Sequence, residues 1–536
     1  MTNVAHNLDS SIQNMPGFVS SAPKITLVNA FQDSFNNAIA TARTCYSSKV
    51  ITASDVAASD QSLKQRDAIA KSTYAAGHHT TLQHATFQFV LENVSRQFIW
   101  SFLHAHPFYN SEQVSQRYVT VKPNRVVIPE LPQRLQSLYE ETITSQMTCY
   151  QQLINVLASD VQQEYLRIFP ARGKNSLDHV GAVKKKCQEI ARYVLPIATF
   201  AHLYHTISGL TLHRYHRLAN MLDVSHETRF VVTAMVGAVN QVDPLFFKSI
   251  EDALPLEETH EYLTLKNLGR LSVSEHAKNF RKLFDEQLAG NVSQLVDYSV
   301  RAETTLAHSV RTVLGTTPEE LSDRDAIDLV LSPAKNPYLA QQLTLTSLGK
   351  LTRTMTHVHY SFQKKLSHTA DSQDQRHRLT PGARPILHTQ YVGGEPDVIV
   401  PVLIQKNQQA LDIYWQTLRA TWNTIDTLLD AGVNAEQALY LLPNAFPIRF
   451  IESGDLTGFH HKWTTRLCYN AQEEIWQASC DEVQQVQNVH PGIGKYLAPP
   501  CKLRLWSQEK PYCPEGTHYC GVPVWKLELE QFERLI

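Results

Sequence analysis

The sequence predicts an α+β fold built from two fused, diverged copies of one helix-rich domain, each holding a small sheet. Three observations carry this expectation. At 536 residues the chain is too long for one hydrophobic core. Two motif pairs recur in the same order: HATFQFVL at 84–91 with HVHYSFQK at 357–364, then ARYVLPIA at 191–198 with ALYLLPNA at 438–445. Strand-like segments are few and clustered, unlike the regular alternation of a chain of βαβ units.

Taken in order, residues 1–22 read as a loosely held arm. The first domain is expected over 23–255, the second over 256–498, and a Cys-containing tail over 499–536. In the first domain, 84–91 alternates apolar and polar positions with aromatic and β-branched residues, which predicts a strand. A long helix is predicted over 134–158, before ARYVLPIA. The motif pairs are spaced differently, which places an insertion in the first copy. Residues 250–340, including HAKNFRKLFDEQL and LVDYSVRAETTLAHSV, are patterned as helix and span the junction. SDRD and SPAKNP read there as turns or helix caps. HVHYSFQK then predicts the second copy's strand and 403–430 its long helix, followed by the Leu-Leu-Pro segment and a helix rich in His, Arg and Trp.

Apolar residues make up 43% and charged residues 19%, an ordinary globular balance, and the net charge is −2. No overall field draws such a chain to nucleic acid or membrane, so a polyanion site must be a local cluster of Arg and His. The N-terminal stretch lacks the basic start and apolar run of a secretory signal, and no run of about 18 apolar residues predicts a spanning helix. Five of the eight cysteines (Cys45, Cys149, Cys187, Cys468 and Cys480) are scattered and read as reduced, mostly buried thiols of a cytoplasmic protein.

Two constellations carry chemistry. QDQRHRL offers Gln373, Arg376, His377 and Arg378 ahead of the turn signal TPGARP. Two guanidiniums and an imidazole can face an anion, and Arg suits bidentate phosphate binding; on composition alone a solvated basic loop is the favoured reading. EQVSQRYV offers Gln113, Ser115, Gln116 and Arg117, suited to a nucleotide's base or phosphate, or to a plain polar strand edge.

Together these runs resemble the flavin-dependent thymidylate synthases. That family carries Arg-His-Arg, a spacer and Ser-x-Arg on one loop after a strand. GHHTTLQHATFQF at 77–89, VSRQF at 94–98, SQRYV at 115–119, ARYVLP at 191–196 and the run at 441–475 ending in AQEEI are similar to the family's other segments. The copies depart from the pattern in opposite ways. The first reads LHAHP, with His104 and His106, where Arg-His-Arg should stand, but keeps Ser115, Arg117 and Arg192. The second keeps Arg-His-Arg and Arg466 but has lost Ser-x-Arg.

The resemblance implies reductive methylation of dUMP to dTMP, with FAD as cofactor and NADPH and methylenetetrahydrofolate as co-substrates. It implies catalytic roles for Ser115, Arg376 and Arg466, and substrate contacts from Gln113, Ser115, Gln116, Arg117, Arg192, Gln373, Arg376 and Arg466. It implies cofactor contacts from His78, Thr80, Arg376, His377, Arg378, Asp455, Thr457 and His461; Asp455 stands for an amide and Thr457 for an arginine. Family sites are shared among the subunits of a tetramer, so the expected assembly is a homodimer imitating one, with neither half active alone. The alternatives are a related enzyme alkylating C5 of another pyrimidine nucleotide, or an inactive nucleotide-binding homologue. In the tail, Cys501, Cys513, His518 and Cys520 could supply four zinc ligands, but their spacing matches no strong zinc signature; the preferred reading is a tail packed on the core.

Overall fold

The computed structural model describes residues 6–7, 15–104, 108–170, 179–221, 223–248, 250–272, 276–341, 345–534 and 536. Two antiparallel sheets organise them. The first holds β1 (His6–Asn7), β2 (Lys24–Ala30), β3 (Thr86–Ser95), β4 (Tyr109–Gln113) and β5 (Phe200–Ser208) in the order β1-β2-β3-β5-β4. The second holds β6 (Ser293–Tyr298), β7 (His359–Ser367), β8 (Gly382–Ala383) and β9 (Pro447–Asp455) in the order β6-β7-β9-β8. Strand for strand, β2-β3-β5-β4 repeats as β6-β7-β9-β8.

The helices repeat too. β3 runs into α1 (Arg96–His104), followed by α2 (Gln133–Val156), α3 (Val180–Ala191), α4 (Gly209–Arg217) and α5 (Ser225–Val242). In the second copy β7 runs into α6 (His368–Asp374), followed by α7 (Gln408–Asp430), α8 (Leu456–Arg466), α9 (Glu473–Val489) and, in the tail, α10 (Pro500–Trp506). The strand alternation is the one the sequence showed: Phe87, Phe89 and Leu91 are buried on β3 while Gln88 and Val90 between them are half-buried. α2 and α7 are amphipathic and pack on one another, with the Thr142 and Thr424 hydroxyls 2.8 Å apart.

The motifs that revealed the duplication meet. Ile197 donates to the Leu442 carbonyl at 2.8 Å, and Ala445 donates to Tyr193 at 2.9 Å, so the two Leu-Pro segments pair antiparallel across a local pseudo-twofold. Two buried glutamates repeat the exchange. Glu227 on α5 accepts from the Ser95 backbone and hydroxyl in its own copy and from Tyr440 of the other at 2.6 Å. Glu474 on α9 accepts from Ser367 in its own copy and from Tyr193 of the other at 2.7 Å. One contiguous apolar core runs through both halves.

Three expectations change. Residues 15–22 of the expected loose arm are packed: Met15, Phe18 and Ala22 are buried, and Val19 donates to the Ile128 carbonyl. LVDYSV, patterned as helix, lies largely in β6, where pairing with β7 overrides the local pattern. The EQVSQRYV run is neither all loop nor all strand edge: β4 ends at Gln113, and Ser115–Arg117 lie beyond the sheet. The tail packs as preferred, in a small satellite core with Tyr469 and Trp476.

Candidate active site between the two halves

The Arg-His-Arg run starts from a locked helix end. Asp374 closes α6 and is fully buried between two lysines, Lys364 Nζ at 3.0 Å and Lys462 Nζ at 2.8 Å. Glu452 joins both lysines and Glu482 joins Lys364, so five buried charges compensate one another. From this anchor Arg376, His377 and Arg378 turn toward the other half. Arg376 Nη2 lies 3.0 Å from both carboxylate oxygens of Glu112 on β4. Arg378 donates to the Tyr109 carbonyl and sits over that ring at 5.1 Å. Gln88, Tyr109, Asn110, Glu112, Arg376 and Arg378 are among the residues bounding a polar cavity of about 320 Å³, where the first sheet's edge meets the second copy's loop.

His377 faces inward. Its Nε2 accepts from Arg466 Nε at 2.8 Å, while Arg466 Nη2 donates to the Gln373 carbonyl at 3.1 Å. Burial, and next the Arg466 charge, hold the imidazole well below its usual pKa, which matches the neutral acceptor this geometry requires. Arg466 is itself held down by burial, opposed by Asp374 and assisted by Arg117 and Arg376. Cations from both halves therefore converge.

Arg117 comes from the first half. Its backbone N–H donates to the Ser115 hydroxyl, its Nε to Glu189 on α3 at 2.7 Å, and its Nη2 crosses to the Asn470 carbonyl at 2.9 Å. Burial works to raise the Glu189 carboxyl, but Lys186, Arg117 and Arg192 outweigh it and keep Glu189 ionised. Deeper lie two guanidiniums short of partners. Arg192 is 3% exposed and its Nε and Nη2 have no hydrogen-bond partner among the described residues. Arg96, at the start of α1, holds Gln113 at 3.2 Å, leaves its own Nε unpaired, and is pulled down to about 9 by burial and by Arg192. Gln116 accepts from Asn444 at 3.1 Å and leaves its own Nε2 buried and unpaired. Buried polar groups are ordinarily satisfied, so these donors mark a place for an anion.

Most of the remaining expected contacts fall elsewhere. His78 and Thr80 stand exposed on a turn and line neither cavity beside these arginines. Asp455 is the N-cap of α8, its carboxylate accepting from Gly458 N–H at 2.9 Å. Thr457 is buried, its hydroxyl without a hydrogen-bond partner among the described residues. His461 stays beside the cluster, its ring edge-on to His377 at 5.8 Å, and also lines a cavity of about 230 Å³ with His460 and Arg504. His104 is half-buried, 3.6 Å from Asp371; His106 lies outside the described residues. The four tail residues do not share one cavity. His518 is exposed and lines the cavity near Arg117, whereas Cys501, Cys513 and Cys520 line a different one with Cys468. Among the described residues no group of three or more His, Cys, Asp or Glu is preformed to hold a metal ion, and no helix is long and apolar enough to cross a membrane. Sequence reasoning missed Arg96, Lys186, Glu189 and Asn444. Only Arg96 had a signal, its place in VSRQF just after a strand.

A family model described as thymidylate synthase complementing protein matches residues 26–245 and again 294–492. The chain is 27% identical over 175 residues to a flavin-dependent thymidylate synthase of Clostridium tetani, covering 32% of this chain and 65% of that protein. It is 26% identical over 179 residues to one of Geobacter sulfurreducens, covering 33% and 74%, and 26% identical over 149 residues to one of Saccharolobus solfataricus, covering 27% and 56%. Each alignment thus spans between about half and three quarters of the relative's length. The two family matches coincide with the two sheets, each of which carries a different remnant of the converging cluster, and the chain therefore belongs to the thymidylate synthase complementing protein family as a fused pair of copies.

Proposed function

We propose that the protein is a flavin-dependent thymidylate synthase, converting dUMP to dTMP with methylenetetrahydrofolate and NADPH as co-substrates, at a composite site to which each half contributes once. The observation that carries this reading is the meeting of Arg117 from one half with Arg466 from the other, where Arg466 holds His377 and Arg192 stands beside Arg117. Arg192, Arg96 and Gln116 supply unpaired donors suited to a nucleotide phosphate. Arg466 is placed to favour the ionised form of a uracil, because a fixed cation stabilises a developing anion. Ser115 and Gln113 orient the nucleotide beside them. Arg376 and Arg378 border a groove of a size suited to a flavin, and the neutral His377 can hold or pass a proton beside them. When bound, the flavin supplies the hydride chemistry. The chain's residues bind, orient and polarise. Two chains pairing as a dimer would imitate the four-domain assembly of the family.

The purified protein is expected to be yellow, to oxidise NADPH faster with dUMP than without, and to rescue a thymidine auxotroph. Arg117→Ala and Arg376→Ala are each expected to abolish rescue. A colourless protein that takes up no FAD, or rescue by either variant at the parent level, overturns the composite site. Stimulation by a different pyrimidine nucleotide in place of dUMP reassigns the substrate and keeps the site.

A further inference from the structure

Four of the eight cysteines surround one small cavity. Cys468 follows α8; Cys501 lies on α10; Cys513 and Cys520 come from the loops after it. The cavity measures about 20 Å³, room for a single water-sized occupant, and its other walls are largely apolar, among them Tyr469, Pro500, Val522 and Trp525. All four thiols are free. All four side chains line the same void.

Two features favour a thiolate-bound cation. Arg534 brings a compensating positive charge near Cys468 and Cys520, and its Nη2 is buried without a hydrogen-bond partner among the described residues. The void accommodates one ion and no cluster. The thiols are not drawn into a metal shell, but each sulfur swings on a single side-chain torsion, and rotation between staggered χ1 wells can bring it into the void.

We propose that Cys468, Cys501, Cys513 and Cys520 form a tetrathiolate zinc site that staples the C-terminal tail to the segment after α8, which follows Arg466 and carries Asn470. Binding replaces four S–H bonds by four Zn–S bonds and releases the protons to solvent, with no change of oxidation state. Tetrahedral sulfur coordination without an open position makes the site structural. The four residues weighed as zinc ligands from the sequence share Cys501, Cys513 and Cys520 with this set; Cys468 lies upstream of the tail, and its place beside them shows only in the fold. This proposal does not depend on the activity proposed above.

The full chain, purified reduced and without chelator, is expected to carry one zinc, with an X-ray absorption shell of four sulfurs at about 2.3 Å. Cys513→Ser and Cys520→Ser should each lower zinc content at least tenfold after dialysis against a chelator, and His518→Ala should keep the parent content. The proposal is overturned if the reduced parent neither contains zinc nor takes it up in a competition titration with a zinc-binding dye. It is equally overturned by a shell of fewer than four sulfurs, or by zinc retained in both Cys variants. The parent's shell decides the matter even if a variant misfolds.

Discussion

Arg192 shows how much a single side chain can disclose. A buried guanidinium with two idle nitrogens is destabilising by itself, since an unsatisfied buried donor costs about 1–3 kcal/mol and a charged one more. Such a group persists where an anion completes it. Arg192→Met should therefore separate stability from binding: the ligand-free protein should unfold no earlier than the parent, while the rise in Tm caused by dUMP should vanish. A differential melt with and without nucleotide reads both effects. A variant that melts early yet keeps its nucleotide-induced shift would make Arg192 a structural residue. This residue was visible in the sequence through ARYVLP, whereas its neighbours Glu189 and Asn444 were not. Helix periodicity says which face of α3 is buried but not that Glu189 meets Arg117, a partner 72 residues away.

At the scale of elements, α8 illustrates a position reused. Its family pattern suggested a flavin contact at Asp455, but in this fold the carboxylate closes the helix by capping Gly458. Asp455→Ala is expected to cost about 1 kcal/mol in a urea unfolding titration. Its flavin content per chain should equal the parent's; a loss of flavin with unchanged stability would give Asp455 back to the cofactor. The strands β3 and β7 were legible because two-residue alternation is a local property, as were the long helices α2 and α7. β6 was misread because its run of Leu, Val and Tyr carries no alternation strong enough to oppose the helical pattern around it, and only the ladder with β7 settles it. The Cys468 partnership escaped for a related reason: ligand spacing is diagnostic only when the ligands sit close in sequence.

For the molecule as a whole, the glutamate exchange sets a pH dependence. Burial raises Glu227 and Glu474 each to about 7, against an ordinary 4.5, despite the hydrogen bonds from Ser95 and Ser367 that oppose it. The native state therefore holds more protons than the unfolded chain between pH 4.5 and about 7. Stability contributed by these groups is full below that window and falls as pH rises through it, by about 1.4 kcal/mol per unit for each fully shifted group. Glu474→Gln imitates the protonated form. Its unfolding midpoint should fall less than the parent's between pH 5 and 8, and identical slopes would remove Glu474 from the account. The same exchange has a consequence during synthesis. Tyr193 and Glu474 are 281 residues apart, so at 5–20 residues per second Tyr193 leaves the ribosome roughly 15–55 s before its partner exists. Through that interval the Leu-Pro segment of the nascent chain has backbone donors and an apolar face with nothing to meet. The first copy emerges as half of an interface, waiting on the second.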